Sequence, residues 1–326
     1  MYITRLKGGL TRIPNDPFDG RFWRIDNDNP AIWDNDRQSF IHNALPVPVH
    51  SHNDYWQRIP LFEALGSGCI SVEADVHLRG SDLLVGHTAS HIHSASTLRS
   101  MYLKPLQRML EAQNANCTGG HWKGLFNRAP QQTFVLLVDL KSSGSETFAE
   151  LHTQLQPLRD LDYLTYWNGT ERVQRPLTVV ASGTAPFQSV IALDPTHRDI
   201  FWDAKLERLV SIYDNFETEP VTFGYNRSNS YFASTEFKNA ILHDRHWNVS
   251  LPVTPQMKDI MASQIEQAKA RGLMARCWGT PAHPPNLREI AWRVLLEKQI
   301  DILSMDDMGI VRARANGWGK DQDVNR

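Results

Sequence analysis

The chain has 326 residues, 41% hydrophobic and 21% charged, with 19 Gly and 18 Pro. This is the composition of a globular protein that buries roughly three quarters of its unfolded surface, and it excludes a disordered, collagenous or coiled-coil chain. Lys plus Arg at 34 against Asp plus Glu at 36 leave a formal charge of -2, so no overall field draws the molecule to nucleic acid or anionic lipid and any phosphate recognition has to be local.

Residues 1–45 are polar, with Asn, Asp and Pro in NDPFDG and DNDNPAIWDND, and show no sustained period; they predict an irregular arm packed outside the main domain. The beginning of the arm lacks the continuous apolar stretch of a signal peptide, and nowhere does the sequence approach the roughly 20 apolar residues of a membrane span. Asn-x-Ser/Thr triplets at Asn116, Asn168, Asn226 and Asn248 would suit a secretory protein, which leaves secreted and cytoplasmic locations both open. Cys69, Cys117 and Cys277 lack CxxC spacing, which argues against a disulfide framework or a zinc cluster and leaves room for one disulfide. Oligomeric state is not legible.

From residue 46 onward, short β-branched or apolar runs recur: VPVHSH, CISVEADVHL, TFVLLVDLK, LTVVASG, DIFWDAKL, NSYFASTE, LMARCWGT and DILSMDD, with LLVGH a hairpin-like extension of the second. Between the later runs, TPQMKDIMASQIEQAKARG and NLREIAWRVLLEKQ carry apolar residues at helical spacing. Eight strands joined by crossovers predict a (β/α)₈ TIM barrel over residues 46–312, followed by a tail over 313–326. Chemistry in such a barrel sits at the C-terminal strand ends.

Those ends carry the charged residues. Glu73 and Asp75 are two apart on the second strand and point to one face. Burying them together costs several kcal/mol unless something neutralises them, and a hard divalent cation is the common solution; the alternative is an edge strand open to solvent. The third run ends in Asp139 and Lys141, again on one face, so Asp139 can supply a third carboxylate and Lys141 a point charge for a substrate anion. The alternative is a local ion pair closing the strand. Of thirteen histidines, seven fall between residues 42 and 93. His50 and His52 end the first strand and His87 follows the hairpin, and two imidazoles beside a cation provide the acid and the base that phosphodiester cleavage needs. His77, His91 and His93 read as structural or rim residues. Trp56, Trp202, Tyr231 and Trp278 stand near strand ends, where aromatic faces line a mouth for lipid or quaternary ammonium groups.

HSHNDYW, SVEADVHLRGSDLLVGHT and LLVDLKS together resemble the phosphatidylinositol-specific phospholipase C-like phosphodiesterases, within them the fungal altered inheritance of mitochondria protein 6 family, and also the glycerophosphodiester phosphodiesterases and spider sphingomyelinase D. The resemblance implies a phosphoric diester hydrolase acting on a small-molecule or lipid phosphodiester. It maps His52 and His87 to catalytic histidines, Glu73, Asp75 and Asp139 to ligands of Mg²⁺ or Ca²⁺, and Lys141 to a phosphate-binding position, and it favours His52 over His50. Asn53 is a further candidate oxygen ligand. Two positions depart from the relatives: Asn53-Asp54 replaces the Arg-Gly that usually follows the first histidine, and His87-Thr88 replaces His-Asp, removing a carboxylate that would orient the imidazole. Two other readings stay open. A metal-dependent amidohydrolase also begins with His-x-His but needs later histidines that DIFWDAKL and NSYFASTE lack, and a catalytically weak barrel would only bind phosphate-bearing lipids.

Overall fold

The computed structural model describes residue 41 and residues 44–117, 120–209, 224–241 and 253–312; most of the expected arm over 1–45 and the tail over 313–326 lie outside the described residues, as do His42 and Asn248. Among the described residues the apolar runs form eight parallel barrel strands: β1 Val47–Ser51, β2 Cys69–Arg79, β3 Phe134–Leu140, β4 Leu177–Gly183, β5 Ile200–Lys205, β6 Ser230–Glu236, β7 Met274–Trp278 and β8 Ile302–Met305. Each pairs with the next in chain order and β8 pairs with β1, so the sheet closes on itself as a (β/α)₈ barrel. LLVGH folds back as its position predicts, with Asp82–Val85 antiparallel to the end of β2.

The strands read as continuous apolar runs because both faces are covered, one by the barrel interior and one by the crossovers. Pro255–Ala270 shows how a crossover docks. Thr254 caps it, accepting from the Met257 N–H at 3.3 Å, Pro255 opens it, and Met261, Gln264, Ile265 and Ala268 form the buried stripe. Pro285–Glu297 buries Ala291, Trp292, Val294 and Leu295 in the same way. Other crossovers carry much shorter helices, such as Phe62–Gly66 after β1 and Phe187–Ile191 after β4. At the opposite end from the strand C-termini, the ribbon Tyr166–Trp167 with Arg172–Val173 covers the barrel, and Arg172 donates to the carbonyl of Ser230 at 2.8 Å.

Register brings the charged positions to one level. Asp75 on β2 is the Cα partner of Asp139 on β3, and Asp139 that of Ser182 on β4. Lys141 follows directly, its N–H bonded to the Val76 carbonyl at 2.9 Å. All three cysteines are free thiols, so the disulfide that the sequence left room for is absent.

Candidate active site

Alternation turns Glu73, Asp75 and Asp139 into the barrel, and Glu73 and Asp75 are buried, not set on an edge strand in solvent. One oxygen from each of the three lies within 4.8 Å of the others. At that separation two charges repel by about 3 kcal/mol for an effective dielectric of about 20. The compensation is partial. Lys141 Nζ lies 3.0 Å from Asp139 Oδ2 and 3.2 Å from Asp75 Oδ2, so the ion pair at the end of β3 does form and reaches across to β2. Buried Arg276 on β7 contacts Glu73 Oε2 at 3.4 Å and Asp203 Oδ2 at 3.3 Å. Burial raises Asp139 to about 6, with Lys141 opposing the shift and Glu73 and Asp75 adding to it. Burial also works to raise Glu73, yet His52, His50 and Arg276 outweigh it and hold this carboxyl well below the usual range. Asp75 Oδ1 and Asp139 Oδ1 are buried without a hydrogen-bond partner. Gly183, at φ +67, leaves the space that Asp139 fills, since a Cβ there would fall 1.9 Å from Asp139 Oδ1. Two orphaned anionic oxygens among three converging carboxylates fit a hard divalent cation.

Histidines flank the acids. His52 follows β1, its backbone N–H bonded to the Met305 carbonyl at 2.9 Å. Its Nδ1 lies 2.7 Å from Asp306 Oδ1 and its Nε2 3.8 Å from Glu73 Oε2. Burial alone would lower its pKa, but Glu73 and Asp306 outweigh that and raise it above the ordinary histidine value. His87 is placed by the hairpin, where the Gly86 N–H bonds the Asp75 carbonyl at 3.0 Å. Its Nδ1 lies 2.9 Å from Asp75 Oδ2 and 3.2 Å from the Tyr55 hydroxyl. The partner that Thr88 cannot offer is thus supplied from β2 and from the turn after β1. His50 differs from both: fully buried, with Nδ1 2.7 Å from Ser71 Oγ and Nε2 3.1 Å from Glu73 Oε2. Burial, aided by Arg276, pushes it down to about 3, so the ring is neutral, donates to Glu73 through Nε2 and accepts from Ser71 through Nδ1.

Residues 38–203 match the AIM6-like phosphodiesterase domain. The chain is 34% identical over 278 residues to the altered inheritance of mitochondria protein 6 homolog of Arthroderma benhamiae, covering 82% of this chain and 83% of that protein. It is 36% identical over 274 residues to altered inheritance of mitochondria protein 6 of Eremothecium gossypii, covering 81% and 68% respectively. The chain belongs to this family. A crystal structure of a glycerophosphoryl diester phosphodiesterase from Parabacteroides distasonis aligns over 86% of this chain and 90% of that one, with 15% sequence identity and a TM-score of 0.43.

In this altered inheritance of mitochondria protein 6 relative, the matched segment holds all three acids, Lys141, His52 and His87, while Arg276, Trp278 and Asp306 come from later strands. The sequence reading gave Arg276, Asp306 and Tyr55 no place in the phosphodiesterase site. A lone arginine inside the apolar run LMARCW was a readable signal for a buried ion pair; Asp306 and Tyr55 had none beyond their nearness to strand ends. The Tyr55 hydroxyl lies 2.7 Å from both Asp75 Oδ2 and Asn53 Oδ1, so the oxygen that Asn53 was expected to offer a cation faces Tyr55. Of the four aromatic residues expected at the mouth, two are there: Trp278 stacks on His52 with centroids 6.3 Å apart, and Trp56 lies 5.3 Å from the His87 ring. Trp202 and Tyr231 are buried, against Phe187 and beneath Arg172 respectively. They belong to the packing of the barrel. Among the described residues no helix is long and apolar enough to cross a membrane.

Proposed function

We propose that the protein is a metal-dependent phosphodiesterase in which Glu73, Asp75 and Asp139 hold one Mg²⁺ or Ca²⁺ and the substrate is a phosphodiester of a small or lipid-like alcohol. The supporting observation is the convergence of three carboxylates at the C-terminal end of the barrel, with His52 against Glu73 and His87 against Asp75. Oxygen-only donors favour these hard ions over zinc. When bound, the cation would supply positive charge for a non-bridging phosphate oxygen.

The chain's own groups do the rest. Lys141, held between Asp75 and Asp139, directs its ammonium at a second phosphate oxygen and meets charge as it develops. One of His52 and His87 takes a proton from the attacking hydroxyl, of water or of the substrate itself, and the other returns a proton to the departing alcohol oxygen. Trp56 and Trp278 wall the mouth beside the two imidazoles and present apolar faces to the alcohol.

The test is a panel of glycerophosphodiesters, lysophospholipids and cyclic phosphodiesters assayed with Mg²⁺, with Ca²⁺ and with chelator. At least one is expected to turn over, to stop with chelator and to resume when the cation is restored. Turnover indifferent to chelator would end the metal assignment, and binding without turnover across the panel would make the barrel a phosphate-binding module.

A further inference from the structure

We infer that Tyr55 is the positioning residue of His87, its hydroxyl fixing the imidazole with Nδ1 against Asp75 and Nε2 left for chemistry. The inference rests on the reading of His87 as a catalytic group. The His87 side chain is 45% exposed, so burial does not fix its ring and specific contacts must. Its Nδ1 lies 2.9 Å from Asp75 Oδ2 and 3.2 Å from the Tyr55 hydroxyl. A carboxylate only accepts, so the hydrogen sits on Nδ1. Asp75 Oδ2 is a crowded anchor, since it also meets Lys141 Nζ at 3.2 Å and the Tyr55 hydroxyl at 2.7 Å. The hydroxyl has one proton, and of the two oxygens within its reach, on Asn53 and Asp75, the charged one is the stronger acceptor. Its own oxygen then faces the His87 N–H as a second acceptor, closing a triangle of His87, Asp75 and Tyr55.

Tyr55 is the corner of that triangle held by local structure. It lies in the turn Asp54–Trp56, closed by the Trp56 N–H on the Asn53 carbonyl and the Gln57 N–H on the Asp54 carbonyl, each at 2.9 Å. Its ring packs against the barrel core and meets Trp56 edge to face at 5.6 Å. Trp56 in turn lies against the His87 ring, so two successive residues bracket the imidazole, one by a hydroxyl and one by an aromatic face. Thr88 takes no part, because its Oγ1 is engaged with Ser90 Oγ at 2.9 Å and His91 Nδ1 at 3.1 Å. The segment that begins with His52 therefore sets the second imidazole as well.

The experiment uses Tyr55→Phe, which keeps the ring and removes the hydroxyl. In ¹⁵N spectra of the cation-free protein, recorded on the alkaline side of the histidine titration and assigned with His87→Ala, wild-type His87 is expected as a single Nδ1–H tautomer. In Tyr55→Phe it is expected as a mixture of the two tautomers. On a substrate the wild type cleaves, Tyr55→Phe should lower kcat by about 10-fold with little change in KM, and should cost nothing further in the His87→Ala background. An unchanged His87 spectrum would overturn the proposal. So would an equal loss in both backgrounds accompanied by weaker cation binding in calorimetry, because Tyr55 would then act through Asp75 alone. If the wild type turns over nothing on the panel, the phosphodiesterase reading falls, and the spectra still decide whether Tyr55 sets His87.

Discussion

Asp139 is the acid whose charge the surroundings support least, because it shares Lys141 with Asp75 and lies beside two other carboxylates. Removing its charge takes away a ligand and also a source of repulsion. Asp139→Asn is therefore expected to weaken cation binding by about 10- to 100-fold while leaving the cation-free protein at least as stable. Calorimetric titration with Mg²⁺ and Ca²⁺ measures this, and an unaltered affinity would remove Asp139 from the ligand set. The histidines should separate from the acids in the same assay. His52→Ala and His87→Ala are each expected to slow turnover by about 10² to 10⁴ with cation affinity retained. Near-normal rates in both variants would dismiss the two-imidazole scheme.

Local geometry at two element ends decides whether these residues meet. Gly183 closes β4 in the left-handed region, in the space next to Asp139 and the Leu140 backbone, so Gly183→Ala combines backbone strain and crowding against Leu140 with a displaced carboxylate. It should lose both stability and cation affinity, and a variant that binds normally would show that Asp139 has room to spare. The turn after β1 is held by Asp54, fully buried, accepting from Ser51 Oγ at 2.7 Å, the Leu61 N–H at 2.6 Å and the Tyr102 hydroxyl at 3.0 Å. Burial nonetheless raises this carboxyl from 3.8 to about 6. Between those values the native state binds a proton that the unfolded chain has released, so this group's contribution to stability falls as pH rises, by about 3 kcal/mol in all. The difference in unfolding free energy between wild type and Asp54→Asn should shift by that order across the window in denaturant titrations; a difference flat with pH would mean that Asp54 does not titrate there. These ends also show what a sequence can convey. The barrel was legible because doubly covered parallel strands are uninterrupted apolar runs, and Glu73, Asp75, Asp139 and Lys141 were legible because charge breaks those runs at their C-terminal ends. Arg276 and Asp306 escaped because they are 203 and 254 residues from the partners they touch, Glu73 and His52, and only closure and register bring them together. Trp202 was misplaced because it stands inside β5, not at its C-terminal end, and packs against Phe187.

Across the whole molecule, the proposed cation is expected to act as a stabiliser as well as a cofactor. Three crowded carboxylates oppose folding of the cation-free barrel, and a ligand bound only by the native state at 100 times its Kd contributes about 2.7 kcal/mol. For a domain of this size, thermal unfolding should rise by roughly 5 °C or more in saturating Mg²⁺ or Ca²⁺ over chelator; identical curves would speak against a resident ion. The seam between β1 and β8 carries a different consequence. Both tethers of His52, the Met305 carbonyl and the Asp306 carboxylate, belong to the last strand and the residue that follows it, so this imidazole is not set until the two ends of the sheet have met. Contacts of such long range form only after the entropy of ordering the intervening chain has been met. A partly folded barrel can thus assemble its acids, which lie on neighbouring strands early in the chain, before His52 is set. Under the proposed two-histidine scheme, turnover would become a sensor of completed folding, and an incomplete chain would be kept idle by its own topology.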